Sequence, residues 1–137
     1  MAKTLLVIDD DRDIREVAKT SLELVGGFTV LVADSGLRGV AVAQEARPDA
    51  IILDLMMPDL DGQQTLAQLK LVPETACIPV IMLTAKVQAN KQELLGKGAA
   101  GVLVKPFDPM QLSNQVCEIL GWGVTGKGTG ESDTAED

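Results

Sequence analysis

Short apolar runs alternate with helix-period stretches five times along this chain, and that rhythm restricts its fold more than any other feature. The runs are Leu5-Leu6-Val7-Ile8, Phe28 to Val32, Ala50-Ile51-Ile52-Leu53, Val80-Ile81-Met82-Leu83 and Val102-Leu103-Val104. Near-continuous apolar runs of this length are expected to be strands buried on both faces, as parallel strands are. Parallel neighbours need crossover connections, and these are right-handed. The expected architecture is therefore α/β, a doubly wound five-stranded parallel sheet flanked by five helices in a three-layer sandwich. A composition 46 % apolar but only 2 % aromatic suits this, because Val, Ile, Leu, Met and Ala then fill the core.

The residues between the runs place the helices. Asp11 is positioned to cap a helix from about Arg12 to Val25, with Ile14, Val17, Ala18, Ser21, Leu22 and Val25 along its inner face. Gly26-Gly27 ends it. Ser35 opens the next helix, whose inner face is expected to include Val40, Ala41 and Gln44, and Arg47-Pro48 stops it. The turn-rich loop from Met57 to Gly62 leads to a short helix marked by Thr65, Leu66 and Leu69, and a fourth helix runs through Ala89 to Leu95. For the last helix, Asp108 is expected to cap, Pro109 to occupy the first turn and Gln111 to complete a capping box, with Leu112, Val116, Ile119 and Leu120 facing inward.

At 137 residues the chain has room for one core of ordinary size, and residues 1–122 are expected to form a single domain. Residues 123–137 are rich in Gly and acids, a composition expected to stay disordered. A formal net charge of -8 argues against nonspecific nucleic-acid binding and against an anionic membrane surface. Cys77 and Cys117 are too few and too far apart for a zinc knuckle or a disulfide scaffold, and are expected to be reduced thiols serving as small apolar fillers. There is neither a signal-peptide pattern nor a run of transmembrane length, so a cytoplasmic location is expected.

Parallel α/β sheets place their chemistry outside the C-terminal strand ends. Here those ends carry Asp9-Asp10 after the first run, Asp54 after the third, Thr84-Ala85 after the fourth and Lys105-Pro106 after the fifth. Three carboxylates in one crevice repel one another, and a bound Mg²⁺ reverses that penalty. Two carboxylates, a backbone carbonyl and waters make a plausible shell. Asp10 and Asp54 are the expected direct ligands, with Asp9 holding a water of the shell or binding more weakly and the Met56 carbonyl as the remaining protein oxygen. Lys105 brings a compact positive charge that can pair with Asp54 or with a phosphoryl oxygen. Thr84 offers a hydroxyl donor, and Ala85 allows close approach of a backbone N–H. A nucleophilic oxygen, a cation and donors for the equatorial oxygens are the parts of a phosphoryl-transfer site, with Asp54 the best-placed nucleophile.

In this order and spacing, Asp9-Asp10, Asp54 with Met57-Pro58, Asp61-Gly62, Thr84-Ala85 and Lys105-Pro106-Phe107 resemble the receiver domain of two-component response regulators across Lys3 to Gly121. The resemblance implies a flavodoxin-like sheet of order 2-1-3-4-5. It makes Asp54 the phospho-acceptor, Asp9 and Asp10 the acidic metal pair, Thr84 the switch hydroxyl and Lys105 the phosphoryl-sensing lysine. It implies transfer from the phosphohistidine of a sensor histidine kinase or phosphotransfer protein; with 0 histidines, this chain cannot be the donor. It further implies autocatalysed phosphorylation and hydrolysis in what is mainly a signalling switch. The output surface would comprise Val87 to Leu95, Val102 to Val104 and Pro109 to Leu120, acting on a protein effector as a monomer or weak homodimer. Three positions depart from the family pattern. Val102 stands where many relatives carry an aromatic ring, and Met56 and Lys86 occupy positions that gate the attacking water.

Other readings stay open at this level. A phosphorylation-independent adaptor would keep the fold but has no need of the polar set, which is intact here. Asp9 and Asp11 have the spacing of haloacid-dehalogenase phosphatases, although Asp11 is better used as a helix cap. A nucleotide site lacks its Gly-rich phosphate loop. Phe107 is expected to be a packing anchor, and Trp122 to cover the domain edge.

Overall fold

The computed structural model describes residues 3–57, 61–85 and 87–122, the side chains of 87–90 excepted. Its elements are β1 (Thr4–Ile8), α1 (Arg12–Leu24), β2 (Thr29–Ala33), α2 (Gly36–Ala46), β3 (Ala50–Asp54), α3 (Gly62–Leu71), β4 (Val80–Thr84), α4 (Val87–Gly96), β5 (Gly101–Val104) and α5 (Leu112–Leu120). All strand pairings are parallel, and the order is β2-β1-β3-β4-β5. Expectations on Pro58, Asp59, Leu60, Lys86 and the tail at 123–137 lie outside the described residues.

Strand periodicity divides the core in two. Leu5, Val7, Ile52, Ile81 and Leu83 point to the face covered by Ala18 and Leu22 of α1 and by Leu112 and Val116 of α5. Leu6, Ile8, Ile51, Leu53 and Met82 point the other way, against Ala43, Leu66, Leu69 and Leu94. Each buried Leu or Ile contributes about 1.5–3 kcal/mol by leaving water. β1, β3 and β4 have both faces covered, which accounts for their uninterrupted apolar sequence. Phe107 and Trp122 pack at the margin of the first cluster, Trp122 with its ring 5.9 Å from Phe28 and the Lys3 ammonium 4.8 Å above it.

Several caps fall where the sequence put them. The Asp11 carboxylate accepts from the amides of Asp13 and Ile14, and Ser35 accepts from Arg38; on α3 the reciprocal capping box of Asp61 with Gln64 is additional to those expected. Other features differ. α2 turns Gly36, Gly39 and Ala43 inward, with Val40 packed partly buried against the second cluster as expected, but leaves Ala41 and Gln44 exposed. Its phase is set by Gly39, where a Cβ would run into the Ile8 side chain, so the helix lies close on β1 only with small residues between.

On α1, Val17 and Val25 are exposed rather than inward. Together with Leu24, Pro109 and Met110 they line an open groove of about 390 Å³ between α1 and the segment before α5. Ser21 is buried, and its hydroxyl donates to the Pro109 carbonyl. The last helix starts at Leu112, later than its Asp-Pro pattern predicts. Asp108 accepts the Met110 amide two residues on, 2.9 Å away, forming a separate turn, and Gln111 makes no side-chain cap. Cys117 is buried as expected, but Cys77 is exposed, on the connection between α3 and β4, and fills no core space.

Candidate functional site

The strand register brings the polar residues to one edge. Ile8 lies opposite Leu53, Asp54 opposite Leu83 and Thr84 opposite Val104, so Asp9, Asp54, Thr84 and Lys105 all end their strands on the same side. Suitable carboxylate oxygens of Asp9, Asp10 and Asp54 lie within 4.8 Å of one another. Asp9 and Asp54 are buried, whereas Asp10 is exposed. The Lys105 ammonium sits 3.0 Å from Asp54 Oδ1 and 3.1 Å from Asp9 Oδ2. Lys105 N–H also donates to the Thr84 carbonyl at 2.9 Å, which fixes where its side chain departs.

Thr84 itself is buried at the end of β4. Met56 contributes its backbone N–H to the Asp54 carboxylate, and the residue is 74 % exposed. The structure thus brings Asp9, Asp10, Asp54 and Lys105 into direct proximity and places Thr84 and Met56 on the adjoining strand and loop.

Burial pushes the Asp54 carboxyl from 3.8 up to about 6, with the Asp9 charge adding to the rise; the Lys105 hydrogen bond and the Met56 N–H pull it only part of the way back. Burial alone would lower Lys105, but the hydrogen bond it donates to Asp54 and the charge of Asp9 outweigh it and hold the ammonium above its ordinary range. The site is therefore overcharged with acid and incompletely compensated. Asp9 Oδ2 makes this visible at one atom: it is buried, close to Lys105 in distance, yet without a hydrogen bond of acceptable geometry. A hard divalent cation fits this donor set, since it would occupy the oxygens that one lysine leaves unsatisfied.

Two residues that shape the site carry weak sequence signals. Gly62 caps no charge and binds no ligand, but a Cβ there would lie 2.5 Å from the Asp54 carbonyl oxygen and 2.6 Å from Leu55 Cα. Its N–H also donates to the Leu55 carbonyl at 2.8 Å, so α3 starts directly against the strand end that carries Asp54. Arg15, on α1, reaches back to donate to the Asp9 carbonyl at 2.9 Å. Gly next to a capping Asp is the only hint of the first, and nothing in the helical pattern marks the second.

The family model for the response regulator receiver domain matches residues 5–117. The chain belongs to that family. Receiver domains bind Mg²⁺ through an acidic pocket, and here Asp9, Asp10 and Asp54 form an acidic cluster. The phosphate regulon transcriptional regulatory protein PhoB of Pseudomonas aeruginosa is 37 % identical over 88 % of this chain and 52 % of its own length. The DNA-binding dual master transcriptional regulator RpaA of a Synechocystis species is 39 % identical over 85 % of this chain and 48 % of its own. The chain thus spans about half the length of these curated relatives. Among solved structures, Vibrio cholerae chemotaxis protein CheY4 superposes with a TM-score of 0.81 at 32 % identity, covering 87 % of this chain and 99 % of that one. The activated DrrB receiver domain gives a TM-score of 0.72 at 27 % identity. Among the described residues, no helix of this receiver domain is long and apolar enough to cross a membrane.

Proposed function

We propose that this receiver domain accepts a phosphoryl group on Asp54 from a phosphohistidine supplied by a sensor histidine kinase or phosphotransfer protein, and that the modification switches its protein-interaction surface. The observation that carries the reading is the buried Asp54 carboxylate held 3.0 Å from Lys105, within the same 4.8 Å cluster as Asp9 and Asp10. With no histidine among these 137 residues, the donor histidine lies outside them.

In the proposed reaction an Asp54 carboxylate oxygen forms a bond to phosphorus as the P–N bond to the donor imidazole breaks, its electron pair passing to nitrogen. Asp54 must be ionised to attack, and a carboxyl titrating near 6 is largely so at neutral pH. Asp10, Asp54 and the Met56 carbonyl, with Asp9 as a weaker partner, would hold Mg²⁺, whose charge would offset that of the carboxylates and the phosphoryl group. Lys105 exchanges its bond to Asp54 for one to the arriving phosphoryl group and stays paired with Asp9. Thr84, one residue beyond the β4 partner of Asp54, would donate its hydroxyl to another phosphoryl oxygen. In-line water then cleaves the acyl phosphate and resets the domain.

The switch proposed to follow involves α4, β5 and α5. Val102 is half-buried against the second core cluster and has no ring to swing, so movement of backbone and helices has to carry the signal. Two arrangements separated by a few kcal/mol suffice. The test is incubation of the full chain with Mg²⁺ and a small-molecule phosphodonor, followed by intact mass. One phosphoryl group should be gained by the wild type and none by Asp54→Asn; no gain in either, with both folded, would favour a phosphorylation-independent module.

A further inference from the structure

We infer that Arg15 is a positioning residue for the cation site, acting through the Asp9–Asp10 peptide; this rests on the reading that the acid cluster binds Mg²⁺. The long cations Arg12, Lys19, Arg38 and Lys97 pair with carboxylates one helical turn away. Arg15 instead extends back six residues, past the start of α1, to the Asp9 carbonyl, and the contact is partly buried.

The reason lies in where β1 loses its neighbour. Asp9 N–H still donates to Ala33 of β2 at 3.1 Å. In a continuing parallel ladder the carbonyl of the same residue would accept from the amide two positions beyond that acceptor. That amide belongs to Ser35, but β2 ends at Ala33 and Ser35 has turned away to cap α2. Arg15 supplies the missing donor.

The peptide so held joins two of the three clustered acids. Asp9 has further anchors: its Oδ1 accepts from Asp11 N–H at 2.9 Å and its Oδ2 faces Lys105. Asp10 has none of these. Its side chain is exposed and, among the described residues, has no hydrogen-bond partner, so the plane of the Asp9–Asp10 peptide sets where its carboxylate points. Loss of Arg15 should therefore free Asp10 more than Asp9.

The sign of the effect separates positioning from charge. A guanidinium near a cation site repels the cation, so a purely electrostatic Arg15 would weaken Mg²⁺ binding, and its removal would tighten it. A positioning Arg15 has the opposite consequence, because outer partners that orient metal ligands typically contribute tenfold or more to affinity.

The experiment is calorimetric titration of Mg²⁺ into the full-length wild type, Arg15→Met, Arg15→Gln and Arg15→Lys, with thermal melts and amide hydrogen exchange on the metal-free forms. Arg15→Met should bind Mg²⁺ roughly tenfold more weakly. The Gln and Lys variants, which keep a donor, should fall between it and the wild type. Exchange should quicken at Asp10 and Asp11 while the β3 and β4 amides keep their protection. If Arg15→Met does not fold, the Gln and Lys variants decide by the same criterion. Affinity equal to or tighter than wild type in the folded variants overturns the inference. Absence of Mg²⁺ binding by the wild type would instead overturn the metal-site reading on which it rests.

Discussion

At the scale of single residues, the pair Asp54 and Lys105 decides how the site responds to pH. The Asp54 carboxyl is raised to about 6 in the folded metal-free protein against 3.8 as its ordinary value, so between those limits the folded state binds more protons than the unfolded one. Stability from this group is thus fully present below about pH 4 and is lost as pH rises through about 6, a difference on the order of 3 kcal/mol. Denaturant titrations of wild type and Asp54→Asn should show the variant gaining on the wild type between pH 4 and 7; parallel profiles would remove burial as the cause of the raised pKa. Met56 supports a second expectation. Its side chain is exposed two residues beyond Asp54, and a smaller polar group there should admit water to a phosphorylated Asp54 more readily. Phosphate release should quicken severalfold in Met56→Asn, on the order of a 1 kcal/mol lower barrier; faster release from the wild type than from the variant would refute the gating role.

At the scale of elements, α3 meets the site most closely. Gly62→Ala would drive a methyl group into the Asp54 carbonyl and the Leu55 backbone, neither of which can rotate out of the way. The expected cost is about 1–3 kcal/mol of stability, measured by chemical denaturation. It should come with slower phosphorylation, since α3 and the Asp54 strand end must separate. A variant as stable and as active as wild type would show that the close approach is not required. That approach was not legible in the sequence, because Asp61-Gly62 reads equally well as a plain capped helix start. The strands and their polar ends were legible: in Leu5 to Asp10 and Ile51 to Asp54 an uninterrupted apolar run stops at an acid, and two-sided burial leaves few other ways to write such a segment. Helix phase and start were harder. On α2 the fully buried residues are Gly36, Gly39 and Ala43, and at Gly39 what counts is closeness to Ile8 rather than hydrophobicity. At α5, Asp108 had two local amides to choose from and took the nearer one, delaying the helix to Leu112.

At the scale of the whole molecule, the acid cluster, Lys105 and Thr84 occupy one end of the sheet, while Phe28, Lys3 and Trp122 close the other. The proposed output elements are strand β5 and the neighbouring helices α4 and α5, and on this proposal a change at Asp54 would pass through β4 and β5, joined by the Lys105 amide on the Thr84 carbonyl. Arg15 illustrates why sequence alone left the site incomplete. Its partner is a backbone carbonyl exposed by the end of a strand pairing, and no spacing of residue types records that. The central claim, that Asp54 is where the phosphoryl group goes, is tested most directly by phosphorylating the full chain with Mg²⁺ and a small phosphodonor, reducing the acyl phosphate with borohydride and mapping the peptides by mass. Homoserine at position 54, and at no other acid, is the result this account requires. Homoserine at Asp9 or Asp10, or an unmodified Asp54 in protein whose intact mass shows the added phosphoryl group, would contradict it.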